Sequence, residues 1–313
     1  MSIRITLIVV AFDMAREVGR TLRSLAPGYQ RDINDEEYEV VVVDNGSNEP
    51  ITEAMFPGFC GRLRIERLDP APPSPARAAN VGIQMATGEL VGLMIDGARL
   101  ASPGLLAQAV VAARITARPI VATLGWHLGT VPHMRAGEED YDEAAEDRLL
   151  AESGWESDGY RLFDISTFAG SSMRGFFGPL GESNALFMPR AMWSELGGLD
   201  ERFTSPGGGR VNHDLFRRAC ALDGAQLIVL LGEGTFHQLH GGIATSRRFT
   251  RDDWEDEYER LRGHRFTPAD PETVYFGTLH RAVLPHLDRS VRWALRARER
   301  AGITTSASEN PPD

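Results

Sequence analysis

The chain has 313 residues, with 33 basic against 44 acidic side chains and a formal net charge of −11 with histidines neutral. Its 42 % hydrophobic and 25 % charged content is that of a folded protein of one large or two small domains, which excludes a disordered acidic chain or a fibre, and the negative balance disfavours nucleic acid as a partner. No apolar run reaches the roughly 18–20 residues that span a bilayer and no basic leader precedes a cleavage site, while Cys60 and Cys220 are too few for a disulfide framework, so a cytoplasmic chain with reduced thiols is expected.

In chain order, short apolar runs alternate with amphipathic stretches over 3–11, 18–25, 40–43, 63–68, 76–86 and 90–95, the pattern of βαβ units around a parallel sheet. Val18, Leu22 and Leu25 recur at helical spacing, whereas Val40, Val41, Val42 and Val43 form a β-branched run suited to burial on both sheet faces. Ser102 and Pro103 predict a helix start, with Leu105, Leu106, Ala109, Val110 and Ala113 on one face. From 135 to 159 the composition turns acidic, with seven acids among residues 138–147, and reads as an insertion or a solvated helix outside the core. A strand over 185–188 and a helix over 191–196 closed by Gly197 and Gly198 follow. Then come a glycine-rich segment at 205–210, a helix through Leu215, Phe216, Ala219 and Cys220, and a strand over 226–231. Beyond Asp252 a helix carries Trp254, Tyr258 and Leu261, a basic helix runs over 289–300, and a Ser-, Thr- and Pro-rich tail is expected to be disordered.

Five places carry residues suited to chemistry. Asp44, where the second strand runs out into Asn45, Gly46 and Ser47, is either a turn residue or a carboxylate that accepts hydrogen bonds from a base or ribose. Asp96 ends another strand and is either a cap or a ligand for a divalent ion bridging two phosphates. Arg77, near a helix start after a proline-rich loop, either solvates the surface or meets a phosphate or nucleobase carbonyl. Asp214, after Asn212 and His213, caps a helix or acts as a general base, with residues 207–209 as a flexible lid. His237 and His240 either ligate a metal, donate to a phosphate or are structural, and Gly241 and Gly242 point to close backbone approach.

Taken together and in order, these stretches resemble the family-2 type of nucleotide-sugar glycosyltransferases with the GT-A fold, over roughly residues 3–245. The most specific part is Ser183, Asn184, Ala185, Leu186 and Phe187 with the run Leu196 to Phe203, similar to the family segment that lines the sugar and acceptor site. The resemblance implies an α/β fold with a Rossmann-like, mostly parallel central sheet flanked by helices and a mixed acceptor-side half. It implies a domain over 1–250, divided into a nucleotide-binding half at 1–100 and an acceptor-side half at 101–250 with the acidic insertion, then a helical extension over 251–300 and a tail over 301–313. Ala11 and Phe12 would line the nucleobase pocket, Asp44 would bind base or ribose, Arg77 base or phosphate, and Asp96 the diphosphate. Asn184 and His213 would face sugar and acceptor, and Asp214 would be the catalytic base.

Two departures stand out. Gly97 and Ala98 occupy the place of the family's second acid after Asp96, and His213 that of the first acid of its acidic pair. Either Asp96 and His240 share Mg²⁺ or Mn²⁺ with the diphosphate, or protein groups alone supply the positive charge. The expected activity is inverting transfer of a sugar from a nucleoside-diphosphate donor, a UDP-sugar, to a hydroxyl of a glycan, lipid-linked or small-molecule acceptor. The alternatives are a non-catalytic module that binds a nucleotide sugar and, disfavoured by the absence of a glycine-rich phosphate loop followed by lysine, a nucleotidyltransferase. The basic helix over 289–300 either packs on the domain or makes peripheral membrane contact.

Overall fold

The structure, a computed structural model, describes residues 3–133, 141–240 and 251–300, the side chain of Arg251 excepted. The start of the acidic segment, Gly241, Gly242 and the expected disordered tail lie outside the described residues.

Four parallel strands form the first half of the sheet: β1 (Ile5–Ala11), β2 (Tyr38–Asp44), β3 (Leu63–Arg67) and β4 (Leu90–Met94), in the spatial order β3-β2-β1-β4. Helices α1 (Ala15–Ser24) and α2 (Ala76–Met85) connect them. The valine run of β2 divides as a strand between two layers must: Val41 and Val43 enter one hydrophobic cluster, Val40 and Val42 the other. The second half adds β5 (Arg99–Ala101), α3 (Leu105–Ala112), β6 (Pro119–Leu128), α4 (Glu143–Ser153) and β7 (Ser166–Phe168). It continues with β8 (Leu186–Pro189), α5 (Arg190–Leu196), α6 (Val211–Cys220) and β9 (Gln226–His237). β8 lies antiparallel between β4 and β6, which makes this half mixed, while β6 and β9 are parallel.

Three expectations are corrected. Helix α3 begins at Leu105 with Gly104 as its N-cap, because the Ser102 hydroxyl is drawn instead to the buried carboxylate of Glu233. The described part of the acidic segment is no mere solvated face: α4 buries Glu146 and Leu150, and Trp155 packs into the core behind it. Nor is the C-terminal extension purely helical. Between α7 (Arg251–Arg262) and α8 (Leu287–Arg300), β10 (Thr273–Gly277) pairs in parallel with β9 at the sheet edge.

Candidate active site

In an open α/β sheet the loops beyond the carboxyl ends of parallel strands line the binding crevice. β1 ends at Ala11, β2 at Asp44, and Asp96 follows β4 by two residues. β8 runs the opposite way, with Leu186 opposite Leu93, so the residues just before it, Glu182 to Ala185, reach the same edge. β5 pairs antiparallel with the end of β9, Arg99 opposite His237, which puts both side chains on one face beside Asp96.

The Asp96 carboxylate meets His237 Nε2 at 2.8 Å, His240 Nε2 at 3.7 Å and Arg99 Nη2 at 3.7 Å. His240 was singled out in the sequence with Asp96, and the structure brings the two together with His237 between them. Tautomers follow from the partners. His133 Nε2 lies 3.0 Å from the Leu128 carbonyl, which can only accept, so this nitrogen carries the proton and Nδ1 of the neutral ring is an acceptor. His237 Nδ1, 3.0 Å away, therefore donates to it and leaves its own Nε2 as a lone pair. Burial keeps both rings neutral, pushing His133 down to about 3 and His237 to about 4 against the pull of Asp96.

With this tautomer a lone pair on His237 and a carboxylate oxygen lie 2.8 Å apart beside His240, so Asp96, His237 and His240 form a set of donor atoms that could hold a cation. That set of one oxygen and two imidazole nitrogens fits a divalent transition ion. The neighbouring triad His127, His133 and His237 fits one poorly: the first two rings stack at 25° and His127 Nδ1 already accepts the His133 backbone N–H. His133 instead fixes His237 from behind. The loop to His240 is pinned from both sides. Glu146 accepts the Leu239 N–H at 2.7 Å and Arg16 donates to the Leu239 carbonyl, while burial pushes the Glu146 carboxyl up to about 7.

On the other flank of Asp96 stands Arg99, 6 % exposed, whose Nε and Nη1 have no hydrogen-bond partner among the described residues. A Cβ on Gly125 would come within 3.7 Å of Arg99 Nη1 and 3.6 Å of Asn184 Nδ2, so these two donors both lie against Gly125. Next to it Glu182 accepts from Asn212 Nδ2 at 2.7 Å and lies 3.4 Å from His213 Nδ1. Burial opposes its ionisation, but His213, Asn212 and Arg99 hold its carboxyl below the ordinary glutamate value. Arg99 and Glu182 were missed in the sequence, although they stand three residues after Asp96 and one before Ser183.

Asp44 sits at the expected strand end with its carboxylate fully buried. It accepts from the N–H groups of Ser47 and Ile51 and from Arg67, holding the loop 45–51 in shape. This loop is tied to the one after β1, since Asp13 accepts from Asn48 and its own N–H donates to Ser47. Ala11 is buried beneath, and the Phe12 ring, half exposed, stands at the mouth. Arg77 is exposed in the first turn of α2, with no ion-pair partner among the described residues.

Asp214, expected as the general base, is held by two arginines. Its side chain is 1 % exposed and is clasped by Arg218 Nε at 2.8 Å and by Arg262 from α7 at 2.6 and 2.7 Å, in a network that Arg262 extends to Asp200. Both oxygens of this carboxylate accept from guanidinium groups. A cavity of about 910 Å³ lies elsewhere: it runs between α1 and α4, is lined by Arg20, Phe56 and Trp155, and includes none of the site residues.

Comparisons with known proteins bear on the family and the fold. Residues 18–223 match the family described as glycosyltransferase like family 2. No curated protein matches the chain significantly. Among solved structures, the fold is similar to that of S. aureus TarS 1-349 in complex with UDP-GlcNAc, at 15 % identity and TM-score 0.54 over 83 % of this chain and 65 % of that one. It is similar also to S. aureus TarS 1-349 (14 %, 0.50, 75 % and 60 %) and to S. aureus TarS (12 %, 0.51, 83 % and 43 %). The chain thus spans 60 to 65 % of the TarS 1-349 structures. With a family match over most of its length and the mixed sheet of the GT-A type, the chain belongs to the family-2-like glycosyltransferases.

Proposed function

We propose that the protein transfers a sugar from a nucleoside-diphosphate donor, a UDP-sugar, to a hydroxyl acceptor with inversion at the anomeric carbon. The observation that carries this reading is the convergence of Asp96, His237 and His240 beyond the ends of β4 and β9, beside the loops that follow β1 and β2. The two loops pinned by Asp13 and Asp44, with Phe12 at their mouth, take the nucleoside, and Arg77 takes base or phosphate from the rim. Asp96, His237 and His240 hold the divalent ion, Mn²⁺ more readily than Mg²⁺ because two of the three donors are imidazoles. When bound, the ion supplies positive charge to the diphosphate leaving group. Arg99 adds a fixed guanidinium where the chain lacks the second acid after Asp96, and its open donors suit a phosphate oxygen. Asn184 and His213 border the sugar and acceptor side. The solved complex of TarS 1-349 with UDP-GlcNAc supports UDP as the nucleotide through likeness of fold.

Calorimetric titration of the whole chain with UDP, GDP and dTDP, each with and without Mn²⁺, tests this. UDP is expected to bind only in the presence of Mn²⁺, and His240→Ala to weaken that binding at least about tenfold, as loss of a metal contact does. Binding indifferent to the ion would transfer the whole charge-balancing role to Arg99. Binding of none of the three would leave a scaffold without a donor site.

A further inference from the structure

We infer that Glu182 is the general base that deprotonates the acceptor hydroxyl, with Asn212 and His213 as its positioning residues. The inference rests on the transferase reading above and follows from which carboxylates at the site are accessible. Asp214 is enclosed by two arginines, Asp44 by its own loop, and Asp96 faces the two histidines at the diphosphate end. Glu182 keeps 17 % of its side chain exposed, against 1 % for Asp214, and Arg99 attracts it as well as Asp96. The donor and acceptor ends of the site then carry one carboxylate each, and the Arg99 guanidinium attracts both.

Its surroundings suit the task. A general base must be ionised, aimed and within reach of a hydroxyl. Asn212 Nδ2, on the first turn of α6, donates to Oε2 and also to the Ser183 carbonyl, which locks the carboxylate to the segment leading into β8. His213 and Asn212 from α6, Arg99 from β5 and Ser171 favour its ionised form against its burial. In the step, Glu182 takes the hydroxyl proton as the acceptor oxygen bonds the anomeric carbon. The bond from that carbon to the diphosphate oxygen breaks with its electron pair leaving on the diphosphate, and Glu182 then yields its proton to solvent.

The test uses the whole chain with Mn²⁺ and a panel of UDP-GlcNAc, UDP-glucose, GDP-mannose and dTDP-glucose, with water standing in for the acceptor, and follows release of free nucleoside diphosphate. Glu182→Gln is expected to lower turnover by about a hundredfold or more, the scale of general-base loss, while nucleotide affinity by calorimetry stays within about threefold of wild type. Retained turnover within about threefold overturns the assignment, as does a loss of nucleotide affinity that matches the loss of rate. Glu182→Asp keeps charge and fold but withdraws the carboxylate by one methylene, and decides the matter should the glutamine variant not fold: turnover reduced at least about tenfold at unchanged affinity is expected, and full turnover overturns the base. A wild type that binds no nucleotide and releases none fails at the transferase reading itself, before Glu182 is in question.

Discussion

Asp214 and Glu182 show how little a carboxylate's sequence neighbourhood says about its task. Asp214 follows a glycine-rich segment, opens a helix and neighbours a histidine, all of which suit a catalytic base, yet Arg262, 48 residues downstream, closes over it. Its job is to neutralise buried guanidinium groups. Asp214→Asn would leave Arg218 and Arg262 short of a compensating charge, which costs about 1–3 kcal/mol for part-buried groups. The thermal unfolding midpoint is expected to fall by several degrees. An unchanged midpoint with turnover lost a hundredfold would restore Asp214 as the base. The histidines follow the same logic: His237 can offer a lone pair to an ion only when the Leu128 carbonyl sets the His133 tautomer, and no local pattern contains that chain of partners.

Strand β9 shows the same at the level of an element. Its first half pairs with β10 and β6, its second half with β5 and β6, and between them the register jumps from Val229 to Gly234 while β6 advances only from Ala122 to Leu124. This bulge re-aims the strand so that His237 arrives opposite Arg99. Glu233 fills it, accepting from Tyr160, Ser102 and the Gly104 N–H at the start of α3. Gly232 turns it, with φ of 77° and a missing Cβ that would sit 1.8 Å from the Thr278 carbonyl oxygen. Gly232→Ala is expected to cost at least about 1–2 kcal/mol from the left-handed backbone alone, with more from the collision, read as a lower urea midpoint. Mn²⁺-dependent UDP binding should weaken with it. A variant as stable as wild type would mean that the strand does not depend on this turn.

For the molecule as a whole, charge and apolar surface are distributed unevenly. The chain carries −11, yet α8 holds five arginines against two acids. Ser290 anchors one side of α8 against Gly175 and the Phe176 N–H, while Leu284 just before it and Val291 and Leu295 within it stay exposed. No helix among the described residues is long and apolar enough to cross a membrane, so contact with a bilayer would be made by this face lying along it. Sedimentation with phosphatidylglycerol vesicles, none with phosphatidylcholine alone, and release by salt or by Leu295→Asp are expected. No sedimentation with the anionic vesicles would make α8 a packing element only. The alternation of strands and helices, the strand end at Asp44, the place of Asp96 just beyond β4 and the left-handed cap at Gly197 were legible in the chain because side-chain period and turn chemistry act over a few residues. The mixed half was read less well: β6 starts at a proline without alternation, and β10 is defined only by its pairing with β9. Which acid is buried in arginines, which faces the crevice and which histidine nitrogen keeps its lone pair depend on groups tens to a hundred residues apart, so only folding the sheet brings them within hydrogen-bond reach.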